Sequence, residues 1–279
     1  MSPAQPGAER RRRTSWARFA YLRPQEPVPR RVYLGTVTGS AVGLVALWCL
    51  LSYGGVVEPL FLPSPTAILA AGLDLARDGT LVQDMRASLA VIVSGWALAA
   101  VLAVPIGILM GSFKVVEALV EPVVDFVRYL PVSAMIPLLI LYVGIGTAEK
   151  VAVIFIGTFF QLVLLVADVA AHVPHEQLDV SYTLGASRAQ VVGRVLLPAT
   201  LPGVMDTLRI TMGWAWTYLI VAEIVSADRG LGYLILNSMR GLFTDRIFVG
   251  LVVIGGLGLV FDLTFKWLHR RLLPWSPKA

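Results

Sequence analysis

Three stretches of this chain, Val32 to Val57, Ala87 to Phe113 and Tyr129 to Ala148, contain no Asp, Glu, Lys or Arg. Each reaches the roughly 20 apolar residues that a helix needs to cross a bilayer core. Water does not tolerate that much uncharged surface on so short a chain. Of 279 residues, 57% are hydrophobic and 15% are charged, against about 25% charged in a typical soluble domain. Mean hydropathy is +0.75. Lipid is the natural solvent for the excess.

Three further runs are shorter. Val151 to Ala167 stops at Asp168, Ile210 to Ala222 at Glu223, and Ile247 to Phe261 at Asp262. Apolar neighbours extend each across its single charge, so the reading is an all-α polytopic membrane protein with about six transmembrane helices. The first apolar run starts only at Val32 and has no clean small-residue cleavage site after it, which reads as a span and not as a cleaved signal.

Positive charge sets the orientation. With six spans both termini share one side. Fifteen Lys and Arg then fall on that side and six on the other. The bias places both ends in the cytoplasm, in a plasma or inner membrane. Trp48, Trp267 and Trp275 stand near span ends, where indole rings favour the interface. The organisation expected is a basic disordered cytoplasmic tail over 1–31, a first span over 32–57, an external loop with an interfacial helix over 58–86, a core of five spans over 87–273, and a short tail over 274–279. The tail's Arg10 to Arg13 read as a topology determinant and not as a nucleic-acid arm.

The longest predicted cytoplasmic loop, Ala171 to Pro202, reads as two short helices joined at Gly185. Glycine can take the left-handed conformation that closes the first, and Ser187 is placed to cap the second. Val191, Val192, Val195 and Leu196 give the second an apolar stripe, Pro198 ends it, and Pro202 starts the next span. Such an elbow can transmit a partner's motion into the membrane. It can equally be a plain connector.

The order Asp179, Val180-Ser181, Gly185, Val195, Leu197-Pro198, with the phrase Leu184-Gly-Ala-Ser-Arg188, resembles the EAA loop of ABC importer permeases. Leu62-Pro63-Ser64-Pro65, Ser88-Leu89 with Gly95, Pro105-Ile-Gly107 and the run Arg128 to Pro137 narrow the resemblance to the nitrate, sulfonate, taurine and bicarbonate branch. It covers roughly Leu62 to Leu273. Family members often carry Glu-Ala-Ala where Asp179-Val180-Ser181 stand, and Arg-Pro where Tyr129 stands. The resemblance implies a type I ABC importer permease fold and a coupling loop of Asp179, Gly185, Ala186, Ser187, Arg188, Leu197 and Pro198. It also implies separate ABC ATPase subunits carrying ATP and Mg, an extracytoplasmic solute-binding protein, and a second permease copy in a homodimer surrounded by membrane lipid. No Gly-x-x-x-x-Gly-Lys-Ser/Thr phosphate loop occurs in the chain, in keeping with that division of labour. Cys49 is a single cysteine, and no His, Cys and carboxylate spacing suggests a metal or any catalytic group. No cofactor is expected on this chain.

Ionisable groups inside a span tend to face an interior. Arg128 is a candidate to attract an anion, or it pairs with Asp125 one turn earlier or snorkels to the interface. Trp214, Trp216, Thr217 and Glu223 give span five a polar and aromatic character that suits either a pathway or a packed seam. Gly255, Gly256 and Gly258 read as close-packing positions. His172, His175 and His269 read as solvated. The functional expectation is a permease for a small solute, an anion such as nitrate, sulfonate, taurine or bicarbonate. The alternatives are an ion-gradient carrier, an ABC permease for a pyrimidine precursor, or a docking scaffold.

Overall fold

The computed structural model describes residues 28–226 and 228–276. Among them every regular element is helical. Most of the tail expected over 1–31, and the last three residues, lie outside the described residues. The chain divides into two compact units, Met1–Pro59 and Leu60–Ala279.

The first unit contains α1, Arg30–Tyr53, which is long and apolar enough to cross a membrane. The second unit begins with α2, Pro65–Arg77. Ser64 accepts the Ala67 backbone N–H at its start, and Pro65 occupies the first turn, where no N–H is needed. Ile68, Ala71 and Leu75, at spacings of three and four, are the buried face of this amphipathic helix. Asp78 follows; the Thr80 backbone N–H, then its hydroxyl, hold the Asp78 carboxyl below its usual pKa.

Next come α3, Thr80–Ser112, and α6, Thr147–Ala171, which pack along most of their lengths as the central pair. Small residues permit this. A Cβ on Gly107 would lie 2.7 Å from Val163 O and from Val166 Cβ, and one on Gly95 would lie 2.8 Å from Ile154 Cβ. Main chain therefore meets side chain with no room between them. The glycines expected to pack closely behave otherwise: Gly255, Gly256 and Gly258 have nothing of this chain within 4 Å of a would-be Cβ.

The stretch Tyr129 to Ala148 is not a straight span. It yields only α5, Val132–Val143, of 12 residues, about 18 Å long against a core of about 30 Å. Before it lies α4, Lys114–Arg128, strongly amphipathic, and the two axes meet at 96°. The break falls where Pro131 supplies no N–H, and the exit is opened by Gly144 at φ +84°. Among the described residues five helices are long and apolar enough to cross a membrane, and a sixth crossing is added if the bent pair counts as one.

The three shorter apolar runs all extend past their charges. Asp168 sits inside α6. Glu223 sits inside α9, Leu197–Ser226, and Asp262 inside α11, Thr244–Leu272. Asp262 pairs with Arg209 of α9 and, at 2.9 Å, with Lys266 one turn along its own helix. Between α9 and α11 the short α10, Leu231–Arg240, packs on α9, α11 and α3. One buried cluster joins Ile108 and Met110 of α3, Val124 of α4, Leu162 and Val166 of α6, and Leu196. A smaller one joins Val132 and Ile136 of α5 to Val153 and Ala222.

Candidate functional site

The elbow is built by local chemistry. α7, His175–Thr183, ends in a Schellman arrangement: Gly185 N–H donates to Tyr182 O at 2.9 Å, and Ala186 N–H to Ser181 O at 3.0 Å. Both bonds require the chain to reverse through the left-handed region, and Gly185 has φ +83°. Ser187 then opens α8, Arg188–Val191, with a full capping box. Its hydroxyl accepts the Gln190 N–H at 3.4 Å, and the Gln190 side-chain oxygen accepts the Ser187 N–H at 2.8 Å.

Pro198 does not end the second helix. α8 runs through a π-helical turn, Val192–Leu196, straight into α9, so one helical stretch extends from Arg188 to Ser226. Leu197 N–H donates to Val192 O, five residues back. A proline at 198 supplies no N–H to Arg194 O and its ring crowds that carbonyl. Widening the turn just before it removes the conflict, and such bulges recur at functional positions. Pro202 likewise lies inside α9.

The surface of the elbow is exposed. Asp179, Gly185, Ser187 and Arg188 face outward, Leu197 is 37% exposed, and Ala186 and Pro198 are half-buried. Val180, Tyr182 and Leu184 expose large apolar side chains beside them, Leu184 at 82%. Its inner face rests on the core through Val173, Leu178 and Val192. An exposed apolar ridge on a helical corner, beside the acids Glu176 and Asp179, has the chemistry of a docking surface.

A second arrangement lies where α4 turns into α5. Arg128, Tyr129, Ser133, Gln161, Thr217 and Tyr218 are among the residues lining a cavity of about 350 Å³, near the small end of the ~300–1,000 Å³ usual for ligand sites. Arg128 is the one Lys, Arg, Asp or Glu in its wall. Its Nε lies 3.0 Å from Asp125 Oδ1, its Nη2 donates to Tyr129 Oη at 3.0 Å, and its guanidinium carbon lies 4.6 Å from the Tyr129 ring centroid. The pairing with Asp125 is therefore made, and Arg128 is still among the residues that line the cavity. Of the five residues considered for a pathway, the structure brings together Arg128 and Thr217. Trp216 is buried with its ring edge-on to Phe261. Trp214 is 39% exposed and does not line the cavity. Gln161, Ser133 and Tyr218 escaped sequence reasoning. Gln161 carried a signal, being the one amide in the apolar run Val151 to Ala167.

Glu223 is elsewhere, at the end of the bundle away from the elbow. It is 1% exposed. Oε1 accepts from Ser88 Oγ at 2.6 Å, and Oε2 accepts from the Gly232 N–H at 2.7 Å. Ser88 Oγ in turn accepts the Leu231 N–H, and Asp84 Oδ1 the Gly230 N–H, both at 2.9 Å. Three orphan N–H groups at the start of α10 thus find acceptors on α3 and α9. Gly232 is needed there, since a Cβ would stand 2.7 Å from Glu223 Cβ. Nearby, Glu149 of α6 accepts from Ser226 Oγ at 2.6 Å.

The family described as binding-protein-dependent transport system inner membrane component matches residues 103–274. The chain belongs to this family. It is 33% identical over 254 residues to the taurine transport system permease protein TauC of Escherichia coli (strain K12), covering 89% of this chain and 92% of that one. It is 36% identical over 239 residues to a probable ABC transporter permease protein of Brucella abortus (strain 2308), covering 86% and 94%. A putative aliphatic sulfonates transport permease protein, SsuC of Bacillus subtilis (strain 168), is 30% identical, covering 83% and 84%. Among solved structures the inward-facing MetNI methionine ABC transporter gives a TM-score of 0.61 at 22% identity, over 69% of this chain and 95% of that one, a likeness of fold. The expected class is shown: this is a membrane-spanning permease subunit of an ABC importer, and a transport protein.

Proposed function

We propose that this permease passes a small organic anion of the sulfonate class through the cavity that Arg128 lines, into the cytoplasm. The observation that carries the reading is one cationic residue, Arg128, set with Ser133, Gln161, Thr217 and two tyrosines in a wall with no other charged residue. A cation among neutral hydrogen-bonding groups suits a sulfonate or carboxylate oxygen. Relatives named for taurine and aliphatic sulfonates support the class. Asp125 keeps Arg128 partly neutralised, which favours weak, transient binding over capture, as a conducting site requires.

The elbow is the coupling loop in this reading. Asp179, Gly185, Ala186, Ser187, Arg188, Leu197 and Pro198 seat in a groove of a separate ATPase, which carries ATP and Mg. This chain carries no cofactor. Two copies form the pathway, a solute-binding protein delivers from outside, and both termini are cytoplasmic. The positive charges on the elbow side support that orientation.

The test is uptake of labelled taurine by vesicles holding the permease, its ATPase and its binding protein. Arg128→Gln is expected to lower uptake at least tenfold while the ATPase still co-purifies. Uptake unchanged in Arg128→Gln overturns the anion reading. Uptake that follows an ion gradient without ATP overturns the importer mechanism.

A further inference from the structure

At the elbow end of α9 and α11 lies a second polar cavity, of about 370 Å³, that neither the coupling loop nor the solute cavity uses. Arg209 comes from α9; Phe265, Lys266, His269 and Arg270 come from α11. His269, expected to be solvated, is 7% exposed, with Nε2 3.1 Å from Ser276 Oγ and Nδ1 3.8 Å from Asp206 Oδ1. The turn after α11 folds back over it, burying Leu273 and Ser276. Three cations, Arg209, Lys266 and Arg270, line it; Asp262 pairs with Arg209 and Lys266, and Asp206 faces His269. Arg270 is exposed on the rim and donates to Lys266 O of its own helix.

The place is as informative as the charge. Trp267, in the same turn of α11, is 53% exposed with the Arg271 guanidinium 5.8 Å from its ring centroid, the kind of indole that favours a membrane interface. One helical lane leads from the bilayer into the cavity. Val252, Leu259 and Leu263 are more than half exposed and share a face of α11 with Lys266 and Arg270.

We propose that this cavity binds the headgroup of an anionic phospholipid, its phosphodiester on Lys266 and Arg270 and its acyl chains along the aliphatic lane. A basic hollow between spans at the membrane interface is the arrangement that recognises such headgroups. The site lies at the foot of the helix that leaves the coupling loop, so occupancy would stiffen the α9–α11 contact there. The proposal rests on membrane embedding of α9 and α11, and on neither the solute nor the orientation.

The full chain is to be reconstituted in nanodiscs of phosphatidylcholine, with and without phosphatidylglycerol, both leaflets being equal. Native mass spectrometry after detergent release reads retained lipid. Wild type should retain one phosphatidylglycerol per chain in preference to phosphatidylcholine. Each cation removed should lower that preference roughly fivefold, the equivalent of about 1 kcal/mol. Arg270→Gln tests one charge, at an exposed side chain. Lys266→Gln/Arg270→Gln tests two, with Asp262 still held by Arg209. Unfolding in pure phosphatidylcholine discs shows that the variants are folded. Equal retention of both lipids by wild type overturns the proposal, as does preference unchanged in Arg270→Gln. Stabilisation of phosphatidylcholine discs by inorganic phosphate or glycerol 3-phosphate, to the extent phosphatidylglycerol gives, overturns the lipid source. Loss of taurine uptake in Arg128→Gln is independent of every one of these outcomes.

Discussion

Ser88 and Glu223 stand 135 residues apart and meet through a hydrogen bond of 2.6 Å, with Ser88 0% and Glu223 1% exposed. The pair is a cap for a third element: each side chain also receives an N–H from the first turn of α10. A carboxylate at a helix start satisfies orphan donors and meets the positive end of the helix dipole. Glu223→Ala leaves the Ser88 hydroxyl and the Gly232 N–H without their acceptor, at about 1–3 kcal/mol for each buried group. The variant should unfold at lower temperature in detergent, and α10 should become the first site of proteolysis. Glu223→Gln, which keeps one acceptor, should fall between. An unchanged melting temperature and protease pattern in Glu223→Ala would show that the cap is dispensable.

Gly185 has φ +83° and open space around its would-be Cβ, so strain there comes from the backbone alone. Gly185→Val costs on the order of 1–2 kcal/mol and changes the angle between α7 and α8. It should insert normally yet lose ATPase co-purification or coupled uptake. Gly185→Asn, which tolerates the left-handed region, should recover most of it. Asp179→Ala should be milder, one exposed carboxylate being worth little. Wild-type uptake by Gly185→Val would make the elbow a plain connector.

The α3–α6 seam has no spare volume at Gly107. Gly107→Leu should destabilise by at least the ~1–3 kcal/mol typical of overpacking, read as a drop in melting temperature and in membrane abundance. Gly256→Ala is the matched comparison for this chain's own packing, since nothing of the chain lies within 4 Å of the added carbon. Equal melting temperatures for the two variants would sink the seam argument.

Orientation is tested with single cysteines in a Cys49→Ala background. Arg77 is exposed at the end of α2 and Ala189 is exposed on α8. An impermeant maleimide applied to intact cells should label Arg77→Cys and leave Ala189→Cys unlabelled until the cells are opened. The reverse pattern would invert the topology.

The elbow was legible because its signals are local. A left-handed glycine, a capping serine and its Gln190 partner act within a few residues of one another, so sequence spacing alone specifies them. Pro198 misled because its penalty is local too, but relief comes from a π turn whose register the flanking core residues Val191 and Leu196 hold. Composition determined the solvent: uncharged runs of this length can only be satisfied in lipid, and helices are then the way for one chain to pair its own backbone.

Tertiary structure decided where the polar groups went. In sequence Glu223 and Arg128 stood as ionisable residues of spans, candidates for a pathway, and His269 as a solvated one. Glu223 became a cap because two glycines of α10 and its approach come within reach of its carboxylate. Arg128 came to line a cavity because the chain turns through 96° beside it. His269 was buried because the chain after α11 folds back, bringing Ser276 to its ring. Periodicity and charge report which residues lipid or water will accept. Which buried group meets which partner depends on contacts between residues far apart in the chain, and those exist only once the helices have packed.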